Sequence, residues 1–99
     1  MTIRHVVSWK LATTDESERA EQAAEIKRGL ESLPAVIPQL RSLQVGVNAV
    51  PGDNFDVVLI SDFDDLDGIQ AYLDHPAHLE VAGYIRSVVG SRAAVDFEV

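Results

Sequence analysis

The sequence predicts an α+β fold in which a four-stranded antiparallel sheet carries its helices on one face. Three observations lead there. Period-two alternation marks a stretch near each end of the chain and two more in the middle, helix-forming stretches with apolar residues three and four apart separate them, and two prolines and a Gly-Asp-Asn turn punctuate the gaps. The resulting order is strand, helix, strand, strand, helix, strand, a weak duplication of a strand-helix-strand half. Each right-handed crossover returns its helix to the same side, so both helices cover one face of the sheet.

Each element has its own signal. Arg4 to Leu11 alternates, with His5, Val7, Trp9 and Leu11 on one side and Arg4, Val6, Ser8 and Lys10 on the other. Thr13 and Glu16 have the spacing of a capping box, and the helix they open runs to Leu33 with Ala20, Ala23, Ile26 or Lys27, Leu30 and Leu33 inward. Pro34 and Pro38 end it. Leu40 to Asn48 forms a second strand, with Leu43, Val45 and Val47 on one face, and the turn at Pro51 to Asn54 leads into Phe55 to Phe63. There Val57, Leu59, Ser61 and Phe63 share a side. Asp64 or Asp65 caps the second helix, which spans Leu66 to Asp74, breaks at His75-Pro76 and resumes from Ala77 to Val89. Gly90 stops it, and Ala93, Val95, Phe97 and Val99 are expected to form the core face of the last strand. The order is that of a ferredoxin-like βαββαβ fold.

Composition narrows the function. At 99 residues and 46% apolar content the chain is expected to form one domain, residues 1–99, with a single core. It has no cysteine, which excludes disulfides, thiolate zinc sites and a cysteine nucleophile and suits a reducing cytoplasm. Sixteen acidic against eight basic residues give a formal charge of −8, which argues against nucleic acid and anionic membranes as partners. No apolar run is long enough for a signal sequence or membrane span. The acidic run from Asp62 to Asp67 reads as helix capping rather than a cation site, and His75 and His78, three apart across a helix break, lack a third metal ligand.

The sheet face away from the helices is expected to expose Val6, Val58, Ile60 and Ala94, bordered by Arg4, Lys10, Asp56, Asp62, Asp96 and Glu98. An apolar patch with a mixed-charge border on an uncovered sheet predicts a homodimer packed sheet to sheet.

The segment Tyr72-Leu73-Asp74-His75-Pro76-Ala77-His78 holds two of the three histidines. His78 and His5 both fall on the inner side. A histidine in an apolar pocket stays neutral and can act as a general base, and a tyrosine hydroxyl beside it can bind a substrate oxygen. Tyr72 and His78 are six residues apart, about 240° around an undisturbed helix, so only the break at Pro76 brings them together. His75, just before the proline, reads as an end-capping residue.

With His5 opening the strand in "IRHVVSWKL" and "YLDHPAH" in the second helix, the chain resembles the stress-responsive dimeric α/β-barrel (Dabb) family over essentially its whole length. The resemblance implies a dimeric barrel with a cavity between sheet and helices in each subunit. It is similar to the family's plant polyketide cyclase, which performs a cofactor-free aldol closure. That similarity implies His78 as the base, Tyr72 as a holder of His78 or the substrate, and His5 as a positioning group. Where that enzyme lines its pocket with aromatics, this chain has Ala23, Ala24 and Lys27, so a different substrate is implied. The expected pocket walls are Val7, Trp9, Ala23, Lys27, Leu59, Ser61, Phe63 and Ala82. The functional expectation is a small-molecule pocket protein without a cofactor, using His78 for acid/base chemistry on a small carbonyl compound. The alternatives are a stress-associated ligand-binding homodimer with structural histidines, and a monooxygenase-like or haem-binding protein.

Overall fold

A computed structural model describes all residues, 1–99, in the order β1 (Ile3–Leu11), α1 (Glu16–Glu31), a short 3-10 turn (Leu33–Ala35), β2 (Ser42–Val47), β3 (Val57–Phe63), α2 (Leu66–Asp74), α3 (Pro76–Val88) and β4 (Val89–Glu98). The four strands form one antiparallel sheet in the order β2-β3-β1-β4, the ferredoxin-like arrangement.

Local chemistry sets the helix ends. Asp15 caps α1, its carboxylate accepting from the Glu18 amide at 2.8 Å, so the start lies two residues beyond the expected Thr13 cap. Thr13 instead accepts from the Asp15 amide and supports that cap. Asp65 caps α2 by accepting from the Gly68 amide at 2.7 Å. The rest of the acidic run is engaged elsewhere: Asp62 pairs with Arg4 and Asp64 with Arg41. Between α2 and α3, His75 adopts φ −65° and ψ 135°, the extended geometry that a following proline enforces. It ends α2 and caps α3 at once, its Nδ1 accepting from the Ala77 amide at 3.0 Å.

The core lies between the inner sheet face and the helices. Val7, Trp9, Val45, Val57, Leu59 and Phe63 from the strands meet Ala23, Ile26 and Leu30 of α1, Ile69 and Tyr72 of α2, and Ile85 of α3. Leu33, Ile37 and Leu40 close the end where α1 turns toward β2.

The last strand departs from the expected alternation. Val89 is opposite Leu11, but Lys10 is opposite Ser91, so Gly90 is an extra residue in β4. A side chain at Gly90 would put its Cβ 3.2 Å from the Ala12 Cα, closer than backbone readily yields, which is why glycine occupies the bulge. The bulge reverses the parity of everything after it. Ala93, Val95 and Phe97 lie opposite Ser8, Val6 and Arg4, on the open face rather than in the core. Arg92, Ala94 and Asp96 lie opposite Trp9, Val7 and His5, on the helix side. Ala94 is therefore no part of the open-face patch. The border is corrected too: Asp96 and Glu98 face inward, and Asp56 accepts from the Leu11 amide at 2.8 Å and lies 3.8 Å from Arg19 of α1.

The open face that results is more apolar than expected. Val6 lies between Ile60 and Val95, with Val58 and Phe97 beside them, and Val95 and Phe97 are 63% and 44% exposed. One bidentate ion pair crosses its edge, Arg4 Nε and Nη2 donating to the two Asp62 carboxylate oxygens at 2.9 and 3.0 Å. The guanidinium holds the Asp62 carboxyl below the usual carboxylate range.

Candidate active site

The break at Pro76 brings the half-buried His78 against the ring of the fully buried Tyr72. Their ring centroids are 4.5 Å apart, and the Tyr72 ring also meets His5 edge-on at 6.3 Å and Phe63 at 5.0 Å. Three rings that carry titratable protons, those of His5, Tyr72 and His78, thus form one cluster built from β1, α2 and α3. Tyr72 is fully buried, and its hydroxyl has no hydrogen-bond partner. Burial pushes its pKa up to about 12, so at neutral pH it is a proton donor and never a phenolate.

His78 has one nitrogen committed. Its Nδ1 lies 3.1 Å from the Leu73 carbonyl oxygen, an acceptor, so Nδ1 carries the proton and donates. The Nε2 lone pair is then free as a base. Burial is the main force lowering the His78 pKa below its usual value of 6.5; the Leu73 hydrogen bond opposes this, and the nearby positive charge of Arg86 adds to it. The ring is a neutral base at physiological pH.

His5, almost fully buried, directs Nδ1 at the carboxylate of Asp96, its cross-strand neighbour. That contact fixes the orientation of the ring. Asp96 is the group that alternation alone misplaced, since the bulge at Gly90 is what turns it inward.

His5 and His78 border a cavity of about 280 Å³ between the sheet and α3. His5, Val7, Trp9 and Leu59 form its floor, Leu73, His78, Ala82 and Ile85 its roof, and Leu30, Val89, Arg86 and Arg92 its remaining walls. Of the pocket residues expected from sequence, Val7, Trp9, Leu59 and Ala82 line it. Ala23, Lys27, Ser61 and Phe63 do not: Ser61 and Phe63 are buried beneath β3's contact with the helices, and Ala23 borders a separate groove along α1. Tyr72 stands behind His78 rather than in the wall. The apolar character of the cavity and its few convergent polar groups are those of a ligand site. No helix is long and apolar enough to cross a membrane.

The model of the stress responsive A/B barrel domain matches residues 3–99. The chain belongs to this family. Among solved structures, a dimeric ferredoxin-like protein of unknown function from Bacteroides fragilis is 33% identical, with 99% of this chain and 96% of that one covered and a TM-score of 0.92. A dimeric ferredoxin-like protein of unknown function from Thermobifida fusca is 32% identical over 100% and 92%, with a TM-score of 0.83. A hydroxynitrile lyase from Passiflora edulis shares the fold at 16% identity over 99% and 93%, with a TM-score of 0.79. No curated protein matches in sequence. As a stress responsive A/B barrel domain, the chain has the family's ferredoxin-like frame, and these structural relatives at about a third identity are dimers.

Sequence reading did not anticipate Arg86, Arg92 and Asp96 at this site. Arg86 carried a usable signal, since it lies eight residues after His78 on the stripe that includes Ala82 and Ile85. Arg92 and Asp96 had none without the bulge.

Proposed function

We propose that this protein is a homodimeric, cofactor-free acid/base catalyst acting on a small carbonyl compound bound beside His78. The observation that supports it is the state of His78: a neutral imidazole on the cavity wall, its Nδ1 tied to Leu73 and its Nε2 free. His78 Nε2 takes a proton from the carbon adjacent to the substrate carbonyl. The C–H electron pair becomes the enolate π bond, and charge moves onto the carbonyl oxygen on the cavity side of the imidazole, while Tyr72, packed behind that ring, holds it in place. His78 then returns its proton to product, so no electron acceptor or cofactor is needed. His5, held by Asp96, positions the substrate. That the fold supports catalysis at all is illustrated by the hydroxynitrile lyase among its structural neighbours. Relatives at about a third identity are dimers, and pairing of two open sheet faces would cover Val6, Ile60, Val95 and Phe97.

The test is exchange of α-protons for deuterium in a panel of small ketones and aldehydes, followed by proton NMR in D2O. The wild-type protein should accelerate exchange of at least one member, and a protein that accelerates none would sink the reading. Tyr72→Phe, which keeps the ring that backs His78, should retain the rate and be more stable by about 1 kcal/mol, because it deletes a buried hydroxyl that has no partner. A Tyr72→Phe protein slowed by about 10²-fold would show instead that the hydroxyl reaches the substrate as an oxyanion donor.

A further inference from the structure

We infer that the cavity selects an anionic substrate, a small carbonyl compound that carries a carboxylate, and that Arg86 and Arg92 bind that carboxylate at one end while the carbonyl lies against His78. This deepens the proposed function and rests on it. In this chain arginines have carboxylate partners: Arg4 pairs with Asp62, Arg19 with Asp56, Arg28 with Glu25 and Arg41 with Asp64. Only Arg86 and Arg92 do not, although acidic residues outnumber basic ones two to one. Both line the one cavity that holds His5 and His78, and no aspartate or glutamate lines it with them.

The two guanidiniums come from different elements. Arg86 is on α3, and Arg92 is on β4 opposite Trp9, turned to the helix side by the bulge at Gly90. Asp96, the acidic residue next along that face, is four residues from Arg92, about 13 Å along an extended strand, and is already engaged by His5. The net charge of −8 does not oppose an anion here. Exposed charges more than about 8 Å away are largely screened at physiological salt, whereas a guanidinium meets a carboxylate at hydrogen-bond distance and in matching planar geometry. Arg86 is close enough to His78 to disfavour its protonation, so a carboxylate on Arg86 would sit within reach of the base.

Benzoylformate tests this without turnover, since it has a ketone and a carboxylate but no α-proton; its methyl ester is the neutral control. Calorimetric titration of the wild-type protein should give saturable binding of benzoylformate at least about tenfold tighter than of the ester. Arg86→Gln and Arg92→Gln should each weaken the acid by about tenfold and leave the ester unchanged, and His78→Gln should still bind the acid. Equal affinity for acid and ester, unaltered binding in both arginine variants, or no saturable binding of benzoylformate would overturn the inference. Arginine-dependent binding in a protein that exchanges no α-protons would sink the catalytic reading and leave the anion site standing; exchange by a protein that ignores the carboxylate would do the reverse.

Discussion

His78→Gln should slow α-proton exchange by about 10²- to 10⁴-fold, the contribution of a positioned general base. Glutamine fills a similar volume and stays polar, so the loss is confined to the basic lone pair and the single Nδ1 hydrogen bond to the Leu73 carbonyl. The fold should therefore persist, with unchanged far-ultraviolet circular dichroism. The wild-type pH profile provides a second reading of the same group. Burial lowers the His78 pKa below 6.5, so more than half of the imidazole is already deprotonated at pH 6.5, and the rate should be level at neutral pH and fall in acid. No alkaline limb should appear below about pH 12, because Tyr72 keeps its proton until then. Stability follows the same imidazole. Between the lowered folded pKa and the ordinary unfolded value the unfolded chain binds more protons, so stability rises with pH across that window and is constant, from this source, above it. His78→Gln should remove that slope. A variant with wild-type exchange would refute the assignment of the base.

Ile60→Asp should convert a dimer to a monomer. Ile60 is central on the open face, beside Val6 and one strand from Val95. Near a two-fold axis, one substitution introduces two carboxylates that must both be desolvated close to one another. An unpaired buried charge costs several kcal/mol, which is more than a hundredfold in the dissociation constant. In the separated subunit the same carboxylate faces solvent on the open side of the sheet, so the monomer should fold. Light scattering behind size-exclusion chromatography reads the result directly. A dimer of unchanged affinity would place the interface on another surface, and a monomeric wild type would remove the dimer altogether.

Much of the frame was legible because different signals agreed. In β1 and β3 strict alternation, with apolar residues on the helix side, assigned each side chain to its face, and the paired registers His5 to Ser61 and Val7 to Leu59 follow it. Pro76 announced the helix break, and the break accounts for the approach of Tyr72 and His78. The choice between Thr13 and Asp15 as a cap was not resolvable from spacing, since both have a glutamate three residues on. β4 was misread for a deeper reason. Its apolar set Ala93, Val95 and Phe97 was assigned to the core because burial is the usual destination of such a set, but here both sheet faces are apolar, so composition could not distinguish them. The Ala23 and Lys27 assignments to the pocket failed similarly: α1 packs over the sheet at Ala23, Ile26 and Leu30, and only Leu30, at its far end, reaches the cavity.

Gly90 gives the final strand two audiences. Deleting that single residue would restore simple alternation and exchange the strand's sides, sending Val95 and Phe97 toward the cavity and Arg92 and Asp96 toward the open face. Cavity lining and open apolar face are thus written in alternate letters of one ribbon, and a frame shift of one amino acid would trade them. Insertions or losses at this joint are consequently a route by which relatives of this fold could acquire new chemistry and lose self-association in the same step.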